Sequence, residues 1–411
     1  MKSPSPRVQS ASHYAQHLFG HEFAVEVSKH AEVHEQLLRR LSAAAATGNR
    51  RKVRQAQDAL FRSYSSILVC LVHCLNQDSG LSPDAVKKSA AQLDPYQDCG
   101  EEIICWAEPK GSGNGWRPIC SFGPKRQALH LLVVDILGAR FGTDEINYLA
   151  AGRGAERASD RIVHLVEEEQ FSVFVLADIQ DFFRSVQQGG VCAVTGLPQN
   201  VVRHSIFVSE VKAFSMSGGF PPNVSLSTIP IEPLVGAAQR GLPQGSRASQ
   251  VVAAILLGPA LRNIISAECA VFYGDDIALA ANKLSEGEAL KEALVGILKS
   301  HPAGPFQLKR CETKHIQEGF SFLQYHHRRD LFINRVRRRP ANVSYFRYQR
   351  RVSTLFATFK AKEAFKRTAH YRWRWMRSFR RWHWNWLSKL MLWQTTLEGM
   401  RQGQNEKSKV L

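Results

Sequence analysis

Several things are scarce in this chain. Its 411 residues include eight cysteines, none of them in a Cys-x-x-Cys pair. The density is too low for a disulfide scaffold and the spacing wrong for a zinc ribbon, so free thiols in a reducing compartment are expected. No uninterrupted apolar run reaches the roughly 18 residues that a membrane-spanning helix needs. Met1 to Ser12 is polar and lacks the apolar segment of a secretory signal. The expectation is a soluble, cytoplasmic protein with no membrane partner. No internal repeat is visible. Acids are also short, with 36 Asp and Glu against 54 Lys and Arg and a formal net charge of +18. Such an excess points to a polyanion, either nucleic acid or an acidic membrane surface. With 44% hydrophobic residues, the length suffices for two or three subdomains that share a substantial core.

The few acids sit where chemistry could use them. Ala270 to Ala280 reads as two short apolar strands joined at Gly274-Asp275, because Gly accepts the positive φ of a tight turn. The tip carries adjacent carboxylates, Asp275 and Asp276, with no local Lys or Arg. Crowded together they would repel unless a cation lay between them, the plain alternative being a solvated loop. Phe171 to Phe183 supplies a second acidic strand end. Its Val- and Phe-rich run predicts a strand buried on both faces that finishes at Asp178. Neighbouring strands presenting Asp178 and Asp275, with Asp276 beside them, could hold two Mg²⁺ ions about 3.5–4 Å apart, the arrangement of in-line phosphoryl transfer. A third element, Gly241 to Ser249, is a small-residue loop that opens an apolar helix from Gln250 to Leu257. Its glycines allow close backbone approach, and the helix N-terminus favours phosphate or a nucleotide.

In combination and in order, these segments resemble motifs A, B and C of reverse transcriptases. The matching residues are Asp178-Ile179-Gln180-Asp181-Phe182-Phe183, Leu242-Pro243-Gln244-Gly245 and Tyr273-Gly274-Asp275-Asp276. The resemblance covers about residues 100 to 330. It implies an α+β right-hand polymerase with fingers, a palm whose antiparallel sheet is flanked by helices, and a helical thumb. The expected organisation is an N-terminal helical extension over 1–98, fingers over 99–170, a palm over 171–330, and a thumb and tail over 331–411. Residues from about His13 to Leu75 show apolar positions near helical spacing, broken by the turn Thr47-Gly48-Asn49. Ser82-Pro83 reads as a helix cap.

The family resemblance also implies roles. Asp178 and Asp275 would bridge two Mg²⁺ ions, or Mn²⁺, with Asp276 assisting and the Ile179 carbonyl completing a site. Trp106 to Ile119 is similar to the glycine-rich fingers hairpin of bacterial reverse transcriptases, so Lys110 and Arg117 would meet the triphosphate, with Lys125 and Arg126 behind them. Arg153, in a glycine-rich turn, would touch a phosphate or steady its own turn. Phe183, five residues after Asp178, would close the pocket against a ribose 2′-hydroxyl, or else is simply core. Gln244 and Gly245 would line the nucleotide pocket. Viral RNA-dependent RNA polymerases usually place a second carboxylate where Phe183 stands, so the pattern favours DNA synthesis. Gln250 stands where a proline is usual, and Gly274 is an uncommon residue within the hairpin. Phe306 to Lys314 resembles motif D, but Glu312 stands where a pyrophosphate-protonating Lys is expected, which leaves Lys309 or Lys314 to substitute. Gly319 to Tyr325 looks like motif E, the grip on the primer end.

Beyond this the composition shifts. From Arg335 to Trp393 there are seventeen Lys or Arg against one acid, Glu363, and six of the eight tryptophans. Cations neutralise phosphates and aromatic rings stack on bases, so a thumb gripping a template–primer duplex fits, with Arg337, Arg338, Arg372, Arg374, Trp373 and Trp375 as candidate contacts. Half of the tryptophans are expected to form the thumb's core. The function expected is RNA-directed DNA synthesis by two-metal nucleotidyl transfer. Its partners would be an RNA template and primer or a cognate non-coding RNA, deoxynucleoside triphosphates and the cDNA product. No RNase H, integrase or His-Asn-His segment is visible, which suggests a compact bacterial enzyme of the anti-phage defence group. A retron or group II intron-type enzyme, or an RNA-binding protein that no longer polymerises, are the alternatives.

Overall fold

The computed structural model describes residues 6–76, 80–109, 116–142, 145–149, 153–208, 210–213, 231–330, 332, 334–379 and 386–410. The chain is a mixed α+β protein with largely antiparallel sheets and a helical C-terminal region. None of the described helices is long and apolar enough to cross a membrane. All eight cysteines are free thiols.

The N-terminal part is helical: Pro6–Phe19, His21–Ala46, Arg50–Phe61, Tyr64–Val72 and Pro83–Gln92. Polar caps set the breaks, because the first N–H groups of a helix have no intrahelical acceptor. The Asn49 side chain accepts from the N–H groups of Arg51 and Lys52, Ser63 from Ser66, and Ser82 from Ala85. The turn at Thr47 to Asn49 and the cap at Ser82 therefore stand where the sequence placed them. Helix Tyr64–Val72 is apolar all round, with Ile67 to Val72 buried. That pattern requires partners on every side. It lies against His21–Ala46, Pro83–Gln92 and the helix Pro124–Phe141.

Two strands, β1 (Ile104–Pro109) and β2 (Trp116–Ser121), pair as an antiparallel hairpin. Helix Ala155–Glu167 leads into β3 (Val173–Ile179), and a two-residue strand, β4 (Lys212–Ala213), pairs in parallel with β1. Helix Ile231–Ala238 also packs on β1 and β2. Residues from both sides of position 171 thus build the hairpin's sheet, across the boundary that the sequence suggested between fingers and palm.

The central sheet comprises β3, β5 (Ala270–Tyr273), β6 (Asp276–Ala281) and β7 (Leu308–His315), in the order β5-β6-β3-β7 and antiparallel throughout. β3 is buried on both faces, as its unbroken apolar run required. Val175, Ala177 and Ile179 join the large core shared with the N-terminal helices and with helix Arg247–Arg262. Phe174 and Leu176 face a second core with Ile162, Leu165 and Val166 of helix Ala155–Glu167.

A third sheet, β8 (Phe320–Phe322), β9 (Tyr325–Asp330) and β10 (Arg335–Pro340), is an antiparallel meander. The composition shift suggested a boundary at 331, yet β9 and β10 pair across it residue by residue, so the basic stretch begins inside a hairpin. Helices Asn342–Thr358, Ala361–Arg377 and Trp386–Val410 follow and enclose an aromatic core of Tyr345, Tyr348, Phe356, Trp375 and Phe379. The Tyr325 hydroxyl donates to Ser378 O at 3.0 Å and ties this bundle to the meander. Gly399 and Gly403, one turn apart, face the first helix so closely that a Cβ would lie 2.8 Å from Gln349 O and 2.5 Å from Ser353 O.

Candidate active site

The ends of β3 and β6 gather three carboxylates. Asp178 and Asp276 are direct partners in the antiparallel ladder, so their side chains leave the same face of the sheet. β5 and β6 are joined by a two-residue loop, Gly274-Asp275, with Gly274 at φ +67° in the first position. Tight hairpin turns with a positive φ there call for glycine. The Ile179 N–H donates to Asp275 O at 3.2 Å, fixing the end of β3 against this turn.

The cluster is electrostatically short of positive charge. Burial, then the Asp275 and Asp178 charges, push the Asp276 carboxyl up to about 7. Burial, followed by Asp178, also raises Asp275 above the usual carboxylate range. Lys309 and Arg310 act in the opposite direction on Asp276, as do Lys309 and Arg117 on Asp275. Lys309 is in direct contact, its Nζ 3.2 Å from Asp178 Oδ2. A bulge places it there: Asp178 pairs with Arg310 and Ile179 with Leu308, leaving Lys309 as the extra residue on β7. Bulges re-aim side chains in this way. Lys314 stands opposite Phe174, four residues back along β3, beside Glu312. Only the register separates the two lysines that the sequence left open.

The loop before helix Arg247–Arg262 is held by its backbone. The Leu242 N–H donates to Phe183 O at 2.7 Å, and the Cys120 N–H of β2 donates to Gln244 O at 2.7 Å. Gly241 (φ +67°) and Gly245 (φ +108°) occupy conformations that side chains rarely adopt, and a Cβ would lie 2.1 Å from Phe183 O and 2.2 Å from Cys120 O. The loop thus connects the segment after β3 to the β1–β2 hairpin. Beneath it, Ser246 Oγ and His130 Nδ1 share a hydrogen bond of 3.2 Å. Burial, with Arg126 and Arg247 adding to it, lowers His130 to about 3 and keeps it neutral. No motif or spacing marks this histidine, which sits mid-helix on Pro124–Phe141.

Arg117 is half exposed and ion-paired at 2.6 Å with Glu108, its partner across the hairpin. Phe183 is half-buried beside Phe182 and packs on the main core. Lys110 lies outside the described residues. Lys125 is half-buried, and its N–H donates to Glu101. Arg126 is buried, paired with Asp98 and donating to His204 O at 2.6 Å, so it ties elements together and does not face a ligand. Arg153 donates to Glu145 O and Asn147 O, which steadies its own turn.

In the C-terminal region the candidates divide. Arg337 is 72% exposed and pairs with Asp330, whereas Arg338 is 10% exposed, 2.6 Å from Asp160 and packed over the Tyr325 ring. The strand alternation turns Arg338 inward and Arg337 outward. Trp375 is core at 8% exposure, while Trp373 is 54% exposed with Arg377 over its ring. Arg372 stacks over Trp393 at 4.0 Å, and Arg374 is exposed. Trp382 and Trp384 lie outside the described residues.

Three carboxylates on adjoining strand ends supply oxygen donors, the ligand type that hard divalent cations take, and burial with mutual repulsion raises two of the acids. No protein-family model matches the chain, and no curated protein matches it. Among solved structures, the chain is similar to telomerase from Candida albicans in complex with a TWJ fragment of telomeric RNA, at 12% identity and a TM-score of 0.36. The match covers 74% of this chain and 59% of that chain, so the chain spans about three fifths of its length. A likeness at that level assigns no activity.

Proposed function

We propose that this chain is an RNA-directed DNA polymerase that makes cDNA by two-metal nucleotidyl transfer. The carrying observation is the register pair Asp178–Asp276 beside the Asp275 turn, three carboxylates at one sheet end facing Lys309 and Arg117. On this reading the β1–β2 hairpin belongs to the fingers, the four-stranded sheet is the palm and the C-terminal helices are the thumb.

Asp178, Asp275 and Asp276, with the Ile179 carbonyl, would hold Mg²⁺, or Mn²⁺ in its place. Bound there, such ions supply Lewis-acid activation of a primer 3′-hydroxyl and charge neutralisation on the triphosphate. The chain's own groups do the rest. The Gln244–Gly245 backbone forms a floor against β2, and Arg117 offers a guanidinium that exchanges Glu108 for a phosphate. Phe183, half-buried beside Phe182, would close the pocket against a ribose 2′-hydroxyl and favour deoxynucleotides. Lys309 is placed to donate a proton or a positive charge at the departing pyrophosphate. Arg337, Arg374 and Trp373, with the half-buried Arg372, would provide a basic and aromatic surface for an RNA–DNA duplex. We infer a bacterial defence-associated enzyme, with a retron or intron-type enzyme as the alternative.

Purified protein with Mg²⁺ on a primed RNA template, offered dNTPs or NTPs separately, tests the proposal beside an Asp275→Ala control. Incorporation of dNTPs that the control loses is the expected result. Use of NTPs would overturn the role of Phe183. No incorporation from either pool would favour a binding protein with an idle palm.

A further inference from the structure

Away from the carboxylates, three side chains of metal-ligating type converge among the N-terminal helices. His34 lies on His21–Ala46, Cys70 on Tyr64–Val72 and Asp135 on Pro124–Phe141, and all three are buried. His34 Nε2 is 3.0 Å from Asp135 Oδ2, and Cys70 Sγ is 4.0 Å from the same oxygen. The three donor atoms lie within 4.8 Å of one another. Ser66, one helical turn before Cys70, meets His34 Nδ1 at 2.9 Å, so Nε2 is the nitrogen turned toward the other two.

We propose that His34, Cys70 and Asp135 form a binding site for a zinc-class cation that joins the N-terminal helices to helix Pro124–Phe141. A cation centred among donors so spaced would lie no more than about 2.4 Å from each, a few tenths of an ångström beyond usual zinc bond lengths. With Nε2 on the cation, Nδ1–H would donate to the Ser66 hydroxyl, the outer partner that orients a metal-bound imidazole. The mixed nitrogen, sulfur and oxygen set favours Zn²⁺ over Mg²⁺ and Ca²⁺, which prefer oxygen alone. Water completes the fourth position. Loading would release the Cys70 thiol proton, while the neutral imidazole carries its one proton on Nδ1, toward Ser66, and leaves Nε2 for the cation. The inference is independent of the polymerase reading. It does concern the helix that carries His130 beneath Ser246.

The test uses the full chain, purified reduced and without chelator, with zinc content measured by elemental mass spectrometry. About one zinc per chain is expected, with a melting temperature that falls on chelation. Replacement by Co²⁺ should give thiolate-to-cobalt absorption in the near ultraviolet, absent in Cys70→Ser. Should that variant not fold, Asp135→Asn keeps the thiol and imidazole and is expected to weaken zinc binding at least about tenfold. Protein that purifies without zinc, with melting temperature and absorption unchanged by Zn²⁺ or Co²⁺, would overturn the site. A cobalt band that survives in Cys70→Ser would do the same. In either case the three side chains are a hydrogen-bonded core cluster.

Discussion

Lys309 reaches Asp178 because the ladder between β3 and β7 slips by one residue beside it. An exposed lysine on a regular strand would have faced away from, or past, the carboxylates. Here its ammonium pairs with Asp178 and offsets part of the rise that burial and repulsion impose on Asp275 and Asp276. On the polymerase reading, Lys309→Ala should slow single-nucleotide addition about 100-fold, the scale of a lost proton donor. Lys314→Ala should leave it within about twofold. Rapid-quench incorporation with each variant decides the assignment, and equal effects would make the bulge merely structural.

The two glycines of the Gly241–Gly245 loop are required by close approach and by backbone conformation. Gly245→Ala drives a Cβ into Cys120 O and should cost about 2–4 kcal/mol. Denaturant unfolding measures the loss. Limited proteolysis should show earlier cleavage near the loop, and nucleotide addition should fall with it.

Two buried histidines give a pH dependence with a definite sign. His130 and His327 are each lowered to about 3, mainly by burial. Between that value and the ordinary histidine pKa near 6.5, the unfolded chain takes up a proton that the folded chain refuses. Their contribution is therefore complete above about pH 6.5 and is lost as the pH falls toward 3. Stability should drop by up to about 1.4 kcal/mol per pH unit for each histidine across that window. Unfolding measured from pH 7 to 4.5 checks the slope, and His327→Gln should flatten it.

The C-terminal region separates residues that hold the fold from residues available to a ligand. Arg338→Ala removes the ion pair with Asp160 and should cost about 1–3 kcal/mol, and Trp375→Ala about 3–5 kcal/mol from the aromatic core. Arg337→Ala and Trp373→Ala should leave the melting temperature nearly unchanged. Both should weaken RNA binding, with Arg337→Ala reducing the salt dependence by about one counterion. Fluorescence anisotropy at several salt concentrations, paired with thermal unfolding, reads both effects.

Much was legible in the sequence because it rests on local chemistry. The unbroken apolar run of β3, the Gly274-Asp275 turn, the turn at Thr47 to Asn49, the cap at Ser82 and the excess of positive charge follow from propensity, turn geometry and composition. These features placed the three carboxylates on strand ends. What the sequence left open concerned residues whose roles depend on partners far along the chain. Arg337 and Arg338 stood side by side as candidate contacts in a stretch expected to be helical, and only the strand β10 docked on helix Ala155–Glu167 turns Arg338 inward against Asp160. Helical spacing placed Trp373 and Trp375 two residues apart, and only the bundle's packing buried one and exposed the other. Lys309 and Lys314 looked alike until a bulge set the register. The meeting of His34, Cys70 and Asp135 across a hundred residues is of the same kind. Local sequence fixes turns and periodicity, whereas which side chains meet depends on register and docking, which are set by contacts between distant segments.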